Sequence, residues 1–289
     1  MTATITLALA AALSNAVHLM TQHAASAGVT GKLRGRRLVA YLLRQPLWLL
    51  GWAAAAAGFA FQALALHFGQ LSVVQPVLVT ELVFALVLRR LWVRQDIRRT
   101  AWTAALVTCG ALAVFLTAAE PHGGHPTPRP LEWVTSLAVF GGTVAVLSIL
   151  ARWGSPRRRA ALYAVATSVT WALMATFIKA ATDTLATSGL VGLVTHWPVY
   201  ALIASGVVGS VLQQAALQVG PLSVSQPLLV VVDPAVSIVL SVWLFDEQFT
   251  VSTAQKALAA AAFCVMAFGV TLLSRAAPAD LDPSLPVRL

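Results

Sequence analysis

Leu66 to Val79 reads LHFGQLSVVQPVLV, and Leu217 to Val230 reads LQVGPLSVSQPLLV, identical at nine of fourteen positions. The register holds on both sides of the match. Gln62 pairs with Gln213, Gly69 with Gly220, Gln75 with Gln226, Pro76 with Pro227 and Trp92 with Trp243, always 151 residues apart. The chain therefore contains a duplicated unit, and the repeat decides how the rest is read.

Both copies lie in long apolar segments. Of 289 residues, 58% are hydrophobic and only 10% charged, and the mean hydropathy is +0.81, which excludes a soluble globular domain. A helix crossing the bilayer needs roughly 20 mostly apolar residues. Nine segments meet that length: about 5–25, 47–66, 71–88, 101–117, 133–150, 161–180, 199–217, 222–244 and 257–273. The expected fold is all-α, a polytopic membrane helix bundle of about nine transmembrane helices. Ala25-Ser26-Ala27 resembles a signal-peptide cleavage site, but no Lys or Arg leads the first segment and polar Asn15, His18, Gln22 and His23 interrupt it. It reads as a retained helix.

The net charge of +9 is distributed on one side. Sixteen of the nineteen basic residues fall in the loops after spans one, three and five and in the tail, with Lys32, Arg94, Arg157 and Arg275 as examples. With nine spans these segments share a side, so the positive-inside rule places the N-terminus outside and the C-terminus in the cytoplasm of a cell-membrane protein. The basic clusters are then topology signals in contact with the lipid bilayer, and no nucleic-acid partner is expected.

Span two pairs with seven, three with eight and four with nine, a separation of five crossings, so the copies are expected to be inverted. Residues 1–153 form the first repeat, with an extracytoplasmic loop at 118–132. Residues 154–275 form the second, lacking a fifth helix, and 276–289, rich in proline and aspartate, form a disordered cytoplasmic tail. Inverted units around a midplane site are the physical basis of alternating access. Gly69 and Gly220 each sit where one span ends and the next begins, and glycine permits the tight reversal. Each following helix then meets Gln75-Pro76 or Gln226-Pro227. Proline removes a backbone donor and frees a carbonyl. The neighbouring Gln amide can satisfy that carbonyl or point toward a solute.

Ionisable residues in mid-membrane cost roughly 2.5–3.5 kcal/mol on insertion scales and mark function. Glu81 and Asp233 lie near the centres of spans three and eight, the two equivalent helices. On a straight helix Asp233 is about 20° from Gln226, whereas Glu81 is about 120° from Gln75. Each carboxyl is a candidate for exchanging a proton for cargo; the alternative is a neutral acid or a structural partner of Lys179. Pro234 gives span eight a second proline and makes it the expected site of bending, so Pro76, Pro227, Pro234, Gly69 and Gly220 are the hinge or kink candidates. Lys179, near the outer end of span six, either snorkels, pairs with Asp183 or joins the site. Asn15, His18 and Gln22 form a polar stripe on span one that either lines the cavity or packs against another polar helix.

Other chemistry is weakly signalled. Glu120, His122 and His125 could collect a metal, but they share a Gly/Pro-rich loop that reads as a solvated connector. Cys109 and Cys264 lie within spans and suggest packing residues. No phosphate-binding loop, dinucleotide turn or zinc-protease motif is present, so neither an enzyme nor a cofactor is expected.

The unit Ala63 to Leu116, with its ALALHFG turn and Gln75-Pro76 helix, resembles the EamA-type half-repeat of the drug/metabolite transporter superfamily. The second copy ends Trp243-Leu-Phe-Asp-Glu247-Gln-Phe-Thr250, similar to that family's Leu-x-x-Glu-x-x-Thr helix end, whereas the first copy has Arg94, Gln95 and Asp96 there. Nine spans, an outside N-terminus and the Gln45-Pro-Leu-Trp48 start of span two resemble the NIPA-type magnesium transporters. Glu81 and Asp233 match no motif of that branch, and the first span lacks its Lys-rich end. The resemblance implies a secondary transporter of a small polar or cationic solute. Magnesium, bound by carboxylate and amide oxygens, is one alternative cargo. A non-transporting membrane subunit or lipid-handling protein is another reading. Ser205, Gly206 and Gly209 in span seven offer a close-packing surface within the protomer or in a homodimer.

Overall fold

The computed structural model describes residues 1–27, 45–93, 97–119, 122–123, 128–249 and 252–276. Among these, nine helices are long and apolar enough to cross a membrane, and the protein is an all-α multi-pass bundle. We number the helices by span: α1 (Thr2–Ala27), α2 (Pro46–Phe68), α3a (Leu71–Leu78) and α3b (Glu81–Leu88), α4 (Arg99–Ala119), α5 (Pro130–Leu150), α6 (Pro156–Thr195), α7 (Pro198–Val219), α8 (Leu222–Phe245) and α9 (Thr253–Ala276). The two-residue strands β1 (His122–Gly123) and β2 (Glu247–Gln248) pair antiparallel. The basic loop after α1 and the tail beyond Ala276 lie outside the described residues.

Proline opens α2, α5, α6 and α7, where its missing N–H costs nothing. Ser155 caps α6 by accepting from the Arg158 amide at 3.4 Å. Helix α6 is much longer than the apolar run predicts, because it continues past Lys179 and Asp183 to Thr195. Its last turns follow a break at Gly189, whose φ of 64° lies in the left-handed region. Charge interrupted the hydropathy signal there without interrupting the helix.

The break in a mid-membrane helix falls in α3, not in the two-proline α8. Helix α8 is continuous through Pro227 and Pro234. Between α3a and α3b, Val79 and Thr80 shift to three-residue hydrogen bonding: Val79 N–H donates to Pro76 O at 3.2 Å and Thr80 N–H to Val77 O at 3.0 Å. The Thr80 hydroxyl takes the same Val77 carbonyl at 2.7 Å. A side chain that competes for the ladder in this way tightens the turn. Helix α3b then runs into a π-helical turn, Arg89–Val93, in which Arg89, one residue past the expected end of span three at 88, is buried.

Helix α1 packs along α2 and α6 along α7, the same neighbours in each copy, while α4 packs along α9 between copies. The α4–α9 crossing is close. A Cβ at Gly269 would stand 2.6 Å from the Thr108 hydroxyl. The main core gathers Leu66 and Leu71, on either side of the α2–α3 turn, with Leu240, Leu244 and Phe245 at the end of α8. All five are fully buried. The same core runs on through Leu112 of α4, Leu173 of α6 and Met266 of α9.

Candidate functional site

Glu81 is the first residue of α3b, immediately after the break, and is only partly exposed. Its carboxyl is hydrogen-bonded by the Asn15 side chain of α1. Asn15 in turn lies against Gly58 of α2, where a Cβ would overlap the Asn15 amide oxygen. Gly58 therefore makes room for the residue that holds Glu81. One turn further along α1, the His18 Nδ1 meets the Gly51 carbonyl of α2 at 2.8 Å, with the ring edge-on to Trp52. The donor at Nδ1 fixes the tautomer for a neutral ring. Asn15 thus sits between α2 and α3, and His18 faces α2. Gln22 is on α1, but its side chain lies outside the described residues.

Asp233 occupies the near-equivalent place on α8 and is likewise partly exposed. Its partner is local. The Ser237 hydroxyl, one turn along the same helix, donates to Asp233 Oδ1 at 3.3 Å. Nearby, the Ser168 hydroxyl of α6 lies 3.0 Å from the Ala164 carbonyl of its own helix and 3.2 and 3.3 Å from the Leu228 and Leu229 carbonyls of α8, three acceptors for one proton. Both α8 carbonyls lie between Pro227 and Pro234, so a serine from another helix reaches the carbonyl edge there. Gln75 is buried within α3a, and Gln226 is partly exposed on α8. The interruption at 79–80 separates Gln75 from Glu81, so the straight-helix angle between them does not apply. Pro76, Pro227 and Pro234 are all buried.

The turn glycines differ in what they meet. Both are extended, Gly69 with φ −144° and Gly220 with φ −154°. A Cβ at Gly69 would overlap the Thr4 side chain, whereas one at Gly220 would stand 2.5 Å from the Pro156 carbonyl and 2.7 Å from Ala160 Cβ. Close approach, with no positive φ, explains both glycines. The obstacles again carry the 151-residue offset to within one residue, since Thr4 maps to Ser155 beside Pro156.

Lys179 does not pair with Asp183 by a direct bond. Its ammonium donates to the Leu66 and Gly69 carbonyls, both at 2.9 Å, and lies 5.5 Å from the Phe245 ring centroid. Asp183 is taken by His67, Nδ1 to Oδ1 at 2.8 Å. The residue that sequence reasoning missed is Glu247, which entered only through a motif at the end of α8. It is 2% exposed. It accepts from the Leu71 amide at 2.8 Å, the Ser72 amide at 3.2 Å and the Ser72 hydroxyl at 2.6 Å. The same offset carries Glu247 to Asp96, outside the described residues. His67 was also missed; its only signal was a polar residue in the last turn of an apolar helix.

Among the described residues, two cavities lie elsewhere. One of about 940 Å³ opens between α4, α8 and α9 beside β2, lined by Phe115, Val242, Phe249, Lys256 and Phe263 among others. The other, about 410 Å³, is bounded by Trp133, His196 and Trp197. Glu81 and Asp233 line neither. Among the described residues no cluster of three or more His, Cys, Asp or Glu could hold a metal; Glu120 and His125 lie outside them. Cys109 and Cys264, expected as packing residues, are free and exposed, and Cys264 lines the cavity beside β2.

The helices and their buried polar groups define a multi-pass membrane protein. No family model and no solved structure matches the chain. An uncharacterized protein of Corynebacterium glutamicum is 30% identical over 270 residues, covering 93% of this chain and 93% of that one. The chain belongs to the same family as that protein.

Proposed function

We propose that the protein is a secondary transporter of the drug/metabolite type, moving a small polar or cationic solute by alternating access, with Glu81 and Asp233 as coupling residues. The observation that carries this reading is the pair of mid-membrane carboxyls on equivalent helices, each with a neutral partner, Asn15 for one and Ser237 for the other. A carboxyl so placed takes up a proton or a cation according to what is near it. The repeat supports the reading, because two inverted copies can exchange conformations about a midplane site. In this account the N-terminus is outside, the C-terminus is cytoplasmic, and the Gly69 turn faces outward.

Solid-supported membrane electrophysiology on reconstituted protein tests it. Transient currents evoked by jumps of an organic amine or amino acid, absent from empty liposomes, are the expected result. Currents from Mg²⁺ alone would favour a divalent-cation transporter. Silence across the panel would remove the transport reading.

A further inference from the structure

The α2–α3 turn is two residues long and leaves the last carbonyls of α2 and the first amides of α3a without partners inside their own helices. Three side chains from elsewhere take them. Thr4 of α1 donates to Phe68 O at 3.3 Å. Lys179 of α6 takes Leu66 O and Gly69 O. Glu247, just beyond α8, takes the Leu71 and Ser72 amides and the Ser72 hydroxyl. The charges suit the ends they meet, a cation at a helix C-terminus and an anion at an N-terminus. Two of the three clamping residues belong to the second copy, whereas the turn belongs to the first.

Glu247 is held at its place from the other side as well. Asp246 before it adopts a left-handed conformation, φ 51°, and Glu247 itself pairs with Gly123 in the β ribbon. The ribbon therefore joins the α4–α5 loop, the α8–α9 loop and the start of α3a on one side of the bundle. The Gly220 turn rests instead on Pro156 and Ala160 of its own copy.

We propose that Glu247 and Lys179 are a two-ended clamp that locks the first copy to the second on the Gly69 side, and that its release is the opening step on that side. This rests on the alternating-access reading for its purpose, but not for its test. With Cys109 and Cys264 replaced by Ser, spin labels at Phe68→Cys and Gln248→Cys report the clamped side. A second protein, labelled at Arg99→Cys and Pro221→Cys, reports the opposite side across the two copies. Pulsed electron–electron distance measurements are then made with and without Glu247→Gln, Ser72→Ala or Lys179→Met.

The clamp predicts a new population on the Gly69 side, longer by roughly 5 Å or more, the scale of a rigid-body or hinge step. The pair on the Gly220 side does not lengthen. Glu247→Gln keeps the shape and one acceptor oxygen, so it separates release from loss of fold, and Ser72→Ala gives the same direction with a smaller population. Unchanged distances in all three variants would overturn the clamp. So would equal broadening on both sides, which is general loosening. A chain that opens as described yet evokes no solute current would leave the clamp standing and remove the transporter reading.

Discussion

Helices α3 and α8 begin with nearly the same sequence, and each holds a carboxyl near its middle by different means. Glu81 stands at a break and is tied to another helix through Asn15. Asp233 stands in a continuous helix and is tied to Ser237 of its own next turn. Two prolines do not break α8, while α3 is interrupted where no proline stands. In α3 the Thr80 hydroxyl takes a carbonyl of the helix ladder; in α8 Ser168 reaches the carbonyls from α6. Proline content alone therefore does not locate a bend in hydrocarbon. In α3 the local difference is Thr80, whose hydroxyl takes the Val77 carbonyl inside the shortened turn.

The comparison can be broken first at the turns. Gly220→Ala forces a methyl onto the Pro156 backbone and should cost about 3 kcal/mol. Gly69→Ala meets the buried, branched Thr4 side chain, whose Cβ would stand 2.9 Å away, and should cost about 2 kcal/mol. Thermal unfolding in detergent should therefore order the variants wild type, Gly69→Ala, Gly220→Ala; the reverse order would mean that the paired turns are not packed as described. The carboxyl partners come next. Asn15→Ala removes a bond between helices and leaves Glu81 without that donor, an expected loss of roughly 2 kcal/mol. Gly58→Ala, which displaces Asn15, should lower the melting temperature in the same direction and add little on top of Asn15→Ala. Full additivity of the two would contradict the Gly58–Asn15 contact. Ser168→Ala should cost about 1 kcal/mol and Ser237→Ala about 0.6 kcal/mol, the range for polar contacts between and within membrane helices. A Ser237 effect as large as that of Asn15 would erase the difference between the two halves.

The spans were legible because hydropathy averages over many residues and depends on nothing outside the segment. Helix α6 shows the limit of that signal: Lys179 and Asp183 ended the apolar run, but partners on α2 let the helix continue. The break at Val79 and Thr80 was not legible, since a single threonine in a helix usually bonds back without interrupting it. Glu81 and Asp233 stood out by charge and depth. Their partners did not, because Asn15 and Glu81 are far apart in sequence, and a serine one turn away is common. The Glu247 contacts span 175 and 176 residues and those of Lys179 span 110 and 113, and such separations leave no periodic trace. The offset of 151 residues could have directed attention to Gly58 and Gly209, an exact pair across the copies. Gly58 makes room for Asn15 and Gly209 for the Trp171 ring.

The most direct test of the account is proton movement in proteoliposomes carrying a pH-sensitive dye, comparing wild type with Glu81→Gln and Asp233→Asn during jumps of amines, amino acids and Mg²⁺. The account predicts solute-evoked proton flux in the wild type and a loss of at least about tenfold, a change of about 1.4 kcal/mol in barrier, in each variant. Undiminished flux in both variants would contradict it.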